Sequence, residues 1–197
     1  MPLNIIISGV GGQGNVLASQ VLGGVASDNG FNVTIGETFG LSQRGGPVMS
    51  HVRLSKKKHY GPLIPPNMGH VIIGLEPLEA LRIADDFANR ETTFIVNSRP
   101  IFPLNVIAGD VDYPPPEKIK LLLSERAAAL HWIDASDEAI KLGNPILMNM
   151  IMLGAACGLE AFPFSIDHIK NTLSSMFPPS KLEINAKALD IGLNLIS

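Results

Sequence analysis

Apolar positions in this chain switch repeatedly between a continuous or alternating pattern and a helical one. Ile5 to Gly14, IIISGVGGQG, reads as a buried parallel strand that turns through Gly9, Gly11, Gly12 and Gly14 into a helix. Val16, Leu17, Val21, Leu22 and Val25 then give one face of a helix over Val16 to Asn29. Gly23 and Gly24 weaken that helix and predict close contact with the sheet or another helix, and Gly30 predicts its stop. Val33, Thr34 and Ile35 predict a strand over Phe31 to Glu37. The stretch from Thr38 begins as a glycine-rich polar loop and recovers strand alternation at Val48 to Leu54.

Lys56, Lys57 and Lys58 fit a solvated turn, and the prolines of Pro62 to His70 exclude a central strand. Val71 to Gly74 predicts a short strand, Leu78 to Ala88 a helix, and Thr92 to Asn97 a strand that delivers Asn97, Ser98 and Arg99 to its carboxyl end. Between Arg99 and Pro116 the pattern loosens, leaving Asn105 to Ile107 as a candidate strand among prolines. A helix over Lys118 to Ala127, a strand over Ala129 to Asp134 and a helix over Asp137 to Leu142 follow. Pro145 opens a helix to Cys157 that is apolar around most of its circumference, so it should be covered on several sides. Ser165 caps a further helix, and Lys181 to Leu195 forms the last one.

Strands alternating with helices predict an α/β protein, a three-layer α/β/α domain with a mainly parallel, Rossmann-like sheet spanning residues 1–197 as a single domain. Val48 to Leu54 can run antiparallel, because a loop and not a crossover helix leads into it.

Charge and composition narrow the function. A net charge of -3 gives no electrostatic case for nucleic acid or for an anionic membrane. Only 17% of residues are charged, against about 25% in an average chain, which leaves apolar surface for a partner subunit or a homo-oligomer contact to hide. No apolar run reaches the roughly 18 residues of a spanning helix, and the start MPLNIIIS lacks a secretory pattern, so the expected location is cytoplasmic. The single cysteine, Cys157, excludes an intrachain disulfide and a cluster held by this chain's cysteines alone.

The glycine turn is suited to an anionic ligand, because helix N-termini present free N–H groups there. It lacks the lysine of a phosphate-binding loop of the Walker type. Glu37 lies 23 residues beyond Gly14, near the distance at which an acid can grip a ribose, so a nucleotide or dinucleotide remains open beside pure fold geometry. Gln13 can contact a ligand oxygen or brace a loop; Gln43 and Arg44 can clamp a carboxylate or phosphate, or form an intrachain or interface pair. His51, His59, His70, His131 and His168 have no metal-ligand spacing, and Ser165, Asp167 and His168 read as a helix start. Cys157 reads as a buried small hydrophobe beside Ala155 and Ala156. No residue stands out as a catalytic acid, base or nucleophile.

Taken together, GVGGQG at Gly9 to Gly14 and ETFGLSQRGG at Glu37 to Gly46 resemble the gamma-type domain of 2-oxoacid:ferredoxin oxidoreductases, with the likeness strongest to the small subunits of indolepyruvate ferredoxin oxidoreductase. SHVRLS at Ser50 to Ser55, PLIPP at Pro62 to Pro66 and GNPILMNMIMLGA at Gly143 to Ala155 extend the likeness over practically the whole chain. The resemblance implies a subunit that supports oxidative decarboxylation of a 2-oxoacid to an acyl-CoA, inactive when isolated. It implies a large alpha subunit carrying thiamine diphosphate and 4Fe-4S clusters, ferredoxin as electron acceptor, and no cofactor held firmly by this chain. Carried over by motif, Gly9, Gly11, Gly12, Gln13 and Gly14 would form one wall of a coenzyme A or subunit contact, and Gln43, Arg44, Gly45 and Gly46 a second. A self-contained nucleotide-binding oxidoreductase and a noncatalytic assembly module are the competing readings.

Overall fold

The computed structural model describes residues 1–39 and 46–196. In chain order the elements are β1 (Leu3–Val10), α1 (Asn15–Asp28), β2 (Asn32–Phe39), β3 (Pro47–Ser55), β4 (Val71–Gly74), α2 (Pro77–Phe87) and β5 (Thr93–Asn97). There follow α3 (Leu104–Ile107), α4 (Pro116–Ser124), β6 (Ala129–Ile133), α5 (Ala135–Lys141), α6 (Met148–Ala156), α7 (Ile166–Met176) and α8 (Pro179–Asn194).

The described strands form a six-stranded sheet in the order β2-β3-β1-β4-β5-β6. β1, β4, β5 and β6 run parallel, with Ile6 opposite Ile72 and Ile73 opposite Ile95. β3 is antiparallel to both of its neighbours, pairing Ile7 with Ser50 and Ser50 with Glu37. Only residues 40–46 separate β2 from β3, too few for the crossover connection that parallel pairing needs, so the pair is antiparallel.

Residue parity along β1 decides the layers. Ile5 and Ile7 pack into a core with residues of α1, α5, α6, α7 and α8, whereas Ile6 packs with residues of α2 and α4 on the opposite face. Both faces being covered explains the continuous apolar runs Ile5 to Ile7 in β1, Val71 to Ile73 in β4 and Phe94 to Val96 in β5. The chain leaves β1 toward one face and β4 toward the other, so the crevice between their carboxyl ends lies at a topological switch point.

Small residues set the closest helix contacts. A Cβ added at Gly192 of α8 would lie 1.9 Å from the Ile151 carbonyl oxygen, and one at Gly154 of α6 would lie 2.0 Å from that of Leu189. The two helices therefore meet backbone to backbone, and α6 is buried at every residue, in line with its all-round apolar pattern. Gly23 and Gly24 act as the sequence predicts: added carbons would press within 2.7 Å of Ile35 in β2 and 2.9 Å of Thr172 in α7.

Three expectations are corrected. Asn105 to Ile107 belongs to the short helix α3, because Val106 and Ile107 N–H groups donate to the Pro103 carbonyl and no strand lies alongside. The helix predicted from Pro145 opens as a 3-10 turn over Pro145–Leu147, which Asn144 caps by accepting from the Ile146 N–H. β2 continues through Thr38 and Phe39, positions the sequence assigns to the loop, because β3 supplies partners to its end. By contrast Ser165 and His168 form a reciprocal capping box at the start of α7, as their spacing implies.

The proline-containing segment between β3 and β4 is tied down by a buried cation. Arg53 Nη1 donates to the carbonyls of Gly61 and Leu63 at 2.9 Å each, Nε donates to Asn4 Oδ1 at 3.1 Å, and the guanidinium lies over the Tyr60 ring. Two backbone carbonyls and a side-chain amide oxygen, and not a carboxylate, accept from this cation.

Candidate functional site

The turn after β1 is built around one amide. Gln13 Oε1 accepts from the Val10 N–H at 2.8 Å, and its Nε2 donates to the Leu75 carbonyl at 2.8 Å, locking the turn to the end of β4. Gly9 makes room for it, since a Cβ there would come within 2.5 Å of Gln13 Oε1. Asn15 donates to the carbonyls of Ile7 and Val48, joining the first residue of α1 to β1 and β3. Gly14 then enters α1 at φ 85°, a left-handed conformation that favours glycine.

Among the described residues no side chain caps α1, and no acidic residue occupies its first turn. Its N-terminal N–H groups carry the positive end of the helix dipole. Beside them opens a cleft of about 650 Å³ whose walls include Gly11, Gly12, Arg99, Ser136, Ile140 and Ile146. Arg99 follows β5 and Ser136 follows β6, so three of the parallel strands deliver residues to one rim. Arg99 is half exposed and its guanidinium lies 3.3 Å from Asp137, leaving donors for a second anion. A shallower groove of about 340 Å³, shared by Gly11, Gly12, Gly14 and Val48, continues from the same turn.

Gly9, Gly11, Gly12, Gln13 and Gly14 are thus brought together at this edge. Gly46 joins them directly, because its carbonyl accepts from the Gly11 N–H at 2.9 Å. Gln43, Arg44 and Gly45 lie outside the described residues. Gln13 lines the cleft, but both ends of its amide are engaged with backbone, so its part in the site is to hold the turn.

Glu37 is similarly committed: its carboxylate accepts from Ser19 at 2.7 Å and Ser50 at 2.6 Å. These bonds fix α1 to β2 and β3. Asn97 is buried, donating to the Leu75 carbonyl and to Ser136 while accepting from the Ser136 N–H. Asp134 accepts from Ser98 across the ends of β5 and β6. Sequence reading placed Arg99 at a strand end without assigning it to the site, and it missed Ser136, Ile140 and Ile146. Position just after β6 was the available signal for Ser136; the two isoleucines carry none.

The remaining titratable groups support the scaffold. Burial lowers the His51 imidazole below its usual value, with Glu37 opposing and Arg53 adding to the shift; burial also lowers His70, which accepts from the Asn4 N–H. Burial raises the Cys157 thiol to about 12, which removes the thiolate a nucleophile would need. Glu76 is buried at the start of α2: one carboxylate oxygen accepts from the Glu79 N–H at 2.8 Å, the other from the Tyr113 hydroxyl at 2.5 Å. Among the described residues no three His, Cys, Asp or Glu side chains converge as a metal site, and no helix is long and apolar enough to cross a membrane.

An open α/β sheet with a glycine turn and a helix N-terminus at its switch point defines an α/β domain of the Rossmann-like class, with backbone N–H groups as the main donors at that edge. Residues 4–195 match the pyruvate ferredoxin/flavodoxin oxidoreductase family, and the chain belongs to it as a small subunit of the gamma type. It is 38% identical over 194 residues to the indolepyruvate oxidoreductase subunit IorB of Archaeoglobus fulgidus, covering 98% of this chain and 95% of that one. It is 37% identical over 191 residues to the subunit of the same name in Pyrococcus horikoshii, covering 96% and 94%. The 2-oxoglutarate:ferredoxin oxidoreductase of Magnetococcus marinus, solved with 2-oxoglutarate, coenzyme A and succinyl-CoA bound, shares the fold with a TM-score of 0.75 at 24% identity; the match covers 99% of this chain and 31% of that one.

Proposed function

We propose that this subunit serves an oxidoreductase acting on indolepyruvate or another aryl pyruvate, and that its cleft sets coenzyme A against the active site of a larger partner chain. Thiamine diphosphate and 4Fe-4S clusters belong to that partner, which carries out the decarboxylation and passes electrons to ferredoxin. This chain supplies binding and closure. The first-turn N–H groups of α1, in the adjoining groove, and the Arg99 guanidinium in the cleft suit phosphate oxygens, while Ile140, Ile146 and Met148 give an apolar wall for the thiol-bearing arm. The small-subunit relatives named for indolepyruvate support the substrate class.

The observation supporting this reading is the hydrogen bond from the Gly11 N–H, in the cleft wall, to the Gly46 carbonyl. The test is steady-state kinetics of the complex reconstituted with its larger chain. Arg99→Ala and Arg44→Ala are each expected to raise KM for coenzyme A by about tenfold, the scale of one charge-assisted contact, with KM for the 2-oxoacid unchanged. Indolepyruvate is expected to exceed pyruvate in kcat/KM. An unaltered coenzyme A dependence in both variants refutes the placement, and a preference for pyruvate refutes the substrate class.

A further inference from the structure

Residues 101–111 expose apolar side chains that the fold itself does not require. Phe102 is 52% exposed, Leu104 82% and Ile107 70%, and α3 buries none of its residues. The segment is nevertheless held firmly. The Tyr113 hydroxyl and the Ile101 N–H both donate to Glu76, the Phe102 ring meets the Tyr113 ring edge-on at 5.2 Å, and the turns of α3 are closed by backbone bonds from Val106, Ile107, Ala108 and Asp110. An anchored platform that turns its hydrophobes outward is prepared for a protein surface.

Its location and charge select the occupant. Ile101 lines the cleft, so the platform is continuous with the rim of the site, and the exposed Ile140 and Ile146 stand across the same opening. Asp110 and Asp112 are exposed beside Val111, and neither has an ion-pair partner among the described residues. In a two-fold contact centred on this segment these carboxylates would approach their own equivalents, which repel. Family membership implies a multi-subunit complex, so a partner chain is available for this surface.

We infer that the 101–111 platform docks the larger chain of the same oxidoreductase, through an apolar recess on that chain rimmed by lysine or arginine. This rests on the proposed function and names the surface through which it operates. The contact seats the partner against the cleft, so that docking and closure occur at one edge.

The test is titration of the purified full-length small subunit with the purified larger chain, followed by sedimentation. The double variant Leu104→Asp/Ile107→Asp is expected to fold with an unchanged circular dichroism spectrum and to bind at least about 30-fold more weakly, as for hot-spot residues. Leu121→Asp, at an exposed position on α4, is expected to bind as the wild type does. Asp110→Lys/Asp112→Lys is expected to weaken binding by several-fold at low salt and less at high salt. If the wild type binds and the Leu104/Ile107 double variant binds equally well, the platform is wrong while the proposed function stands. If the wild type itself does not bind the larger chain, both fall. A wild-type dimer that the double variant turns into a monomer, with affinity for the larger chain unchanged, assigns the platform to a second copy and overturns the inference.

Discussion

Asn149 of α6 occupies the space that a side chain at Gly14 would need: a Cβ built on Gly14 falls 2.1 Å from Asn149 Nδ2. The same nitrogen donates to the Gly14 carbonyl at 3.4 Å. The entry to α1 is therefore fixed by a residue far away in the sequence. Gly14→Ala is expected to cost about 3 kcal/mol, combining left-handed backbone strain with the clash. Asn149→Ala in the same chain should recover part of that loss. Urea denaturation of the two single variants and the double variant measures the coupling; strict additivity would refute it.

Gln13 gives a second test of the turn. Gln13→Ala leaves the Val10 N–H and the Leu75 carbonyl without their partner and is expected to lower stability by about 1–3 kcal/mol. Gln13→Glu should be at least as damaging, because a carboxylate oxygen then faces the Leu75 carbonyl. Equal stability of Gln13→Glu and wild type above pH 7 would show that the donor half of the amide is dispensable.

The pH dependence of stability follows from the buried histidines. Burial depresses His51 and His70 below the reference 6.5, so below about pH 6.5 the unfolded chain binds protons the native chain refuses. Their contribution is complete above 6.5 and is lost as pH falls through the native values. Glu79 acts oppositely: burial raises its carboxyl above 4.5, against the pull of Arg82, so its cost grows as pH rises from 4.5 toward the native value. Melting temperatures between pH 8 and pH 5 are expected to fall on the acid side, and His51→Asn/His70→Asn should flatten that fall.

Arg53 should resist its nearest chemical substitute. A lysine cannot donate to Asn4 Oδ1 and two carbonyls from one planar group while lying over Tyr60. Arg53→Lys is expected to cost about 2 kcal/mol. Limited proteolysis should then cut within residues 57–64 faster than in the wild type.

Tyr113 reports on the platform's anchor. Burial first, and then the hydrogen bond to Glu76, push the phenol well above its usual range. Spectrophotometric titration to about pH 11 should therefore give the same phenolate absorbance for Tyr113→Phe as for wild type, because Tyr113 contributes nothing there. The variant should also lose about 1–2 kcal/mol through the missing hydrogen bond to the buried Glu76 carboxylate.

Much of this architecture was legible in the residues. The run Ile5 to Ile7, the glycines after it and the β-branched Val33 to Ile35 each carry a local period that survives folding, and the Ser165–His168 spacing marks a cap without tertiary help. α3 was not legible, because prolines on either side hide a helix only one turn long. Arg99, Ser136 and Ile146 meet only through strand order, which no local pattern encodes. Gln13 illustrates the same limit: its residue type announces hydrogen bonding, but the identity of its partners depends on where β4 ends.

The bond from the Gly11 N–H to the Gly46 carbonyl, with Asn15 donating to the Val48 carbonyl, couples the first turn to the start of β3. An occupant that shifts the turn by a fraction of an ångström therefore also moves Gly46 and the strand that follows it, so a displacement at the crevice is felt by residues that never touch the bound group.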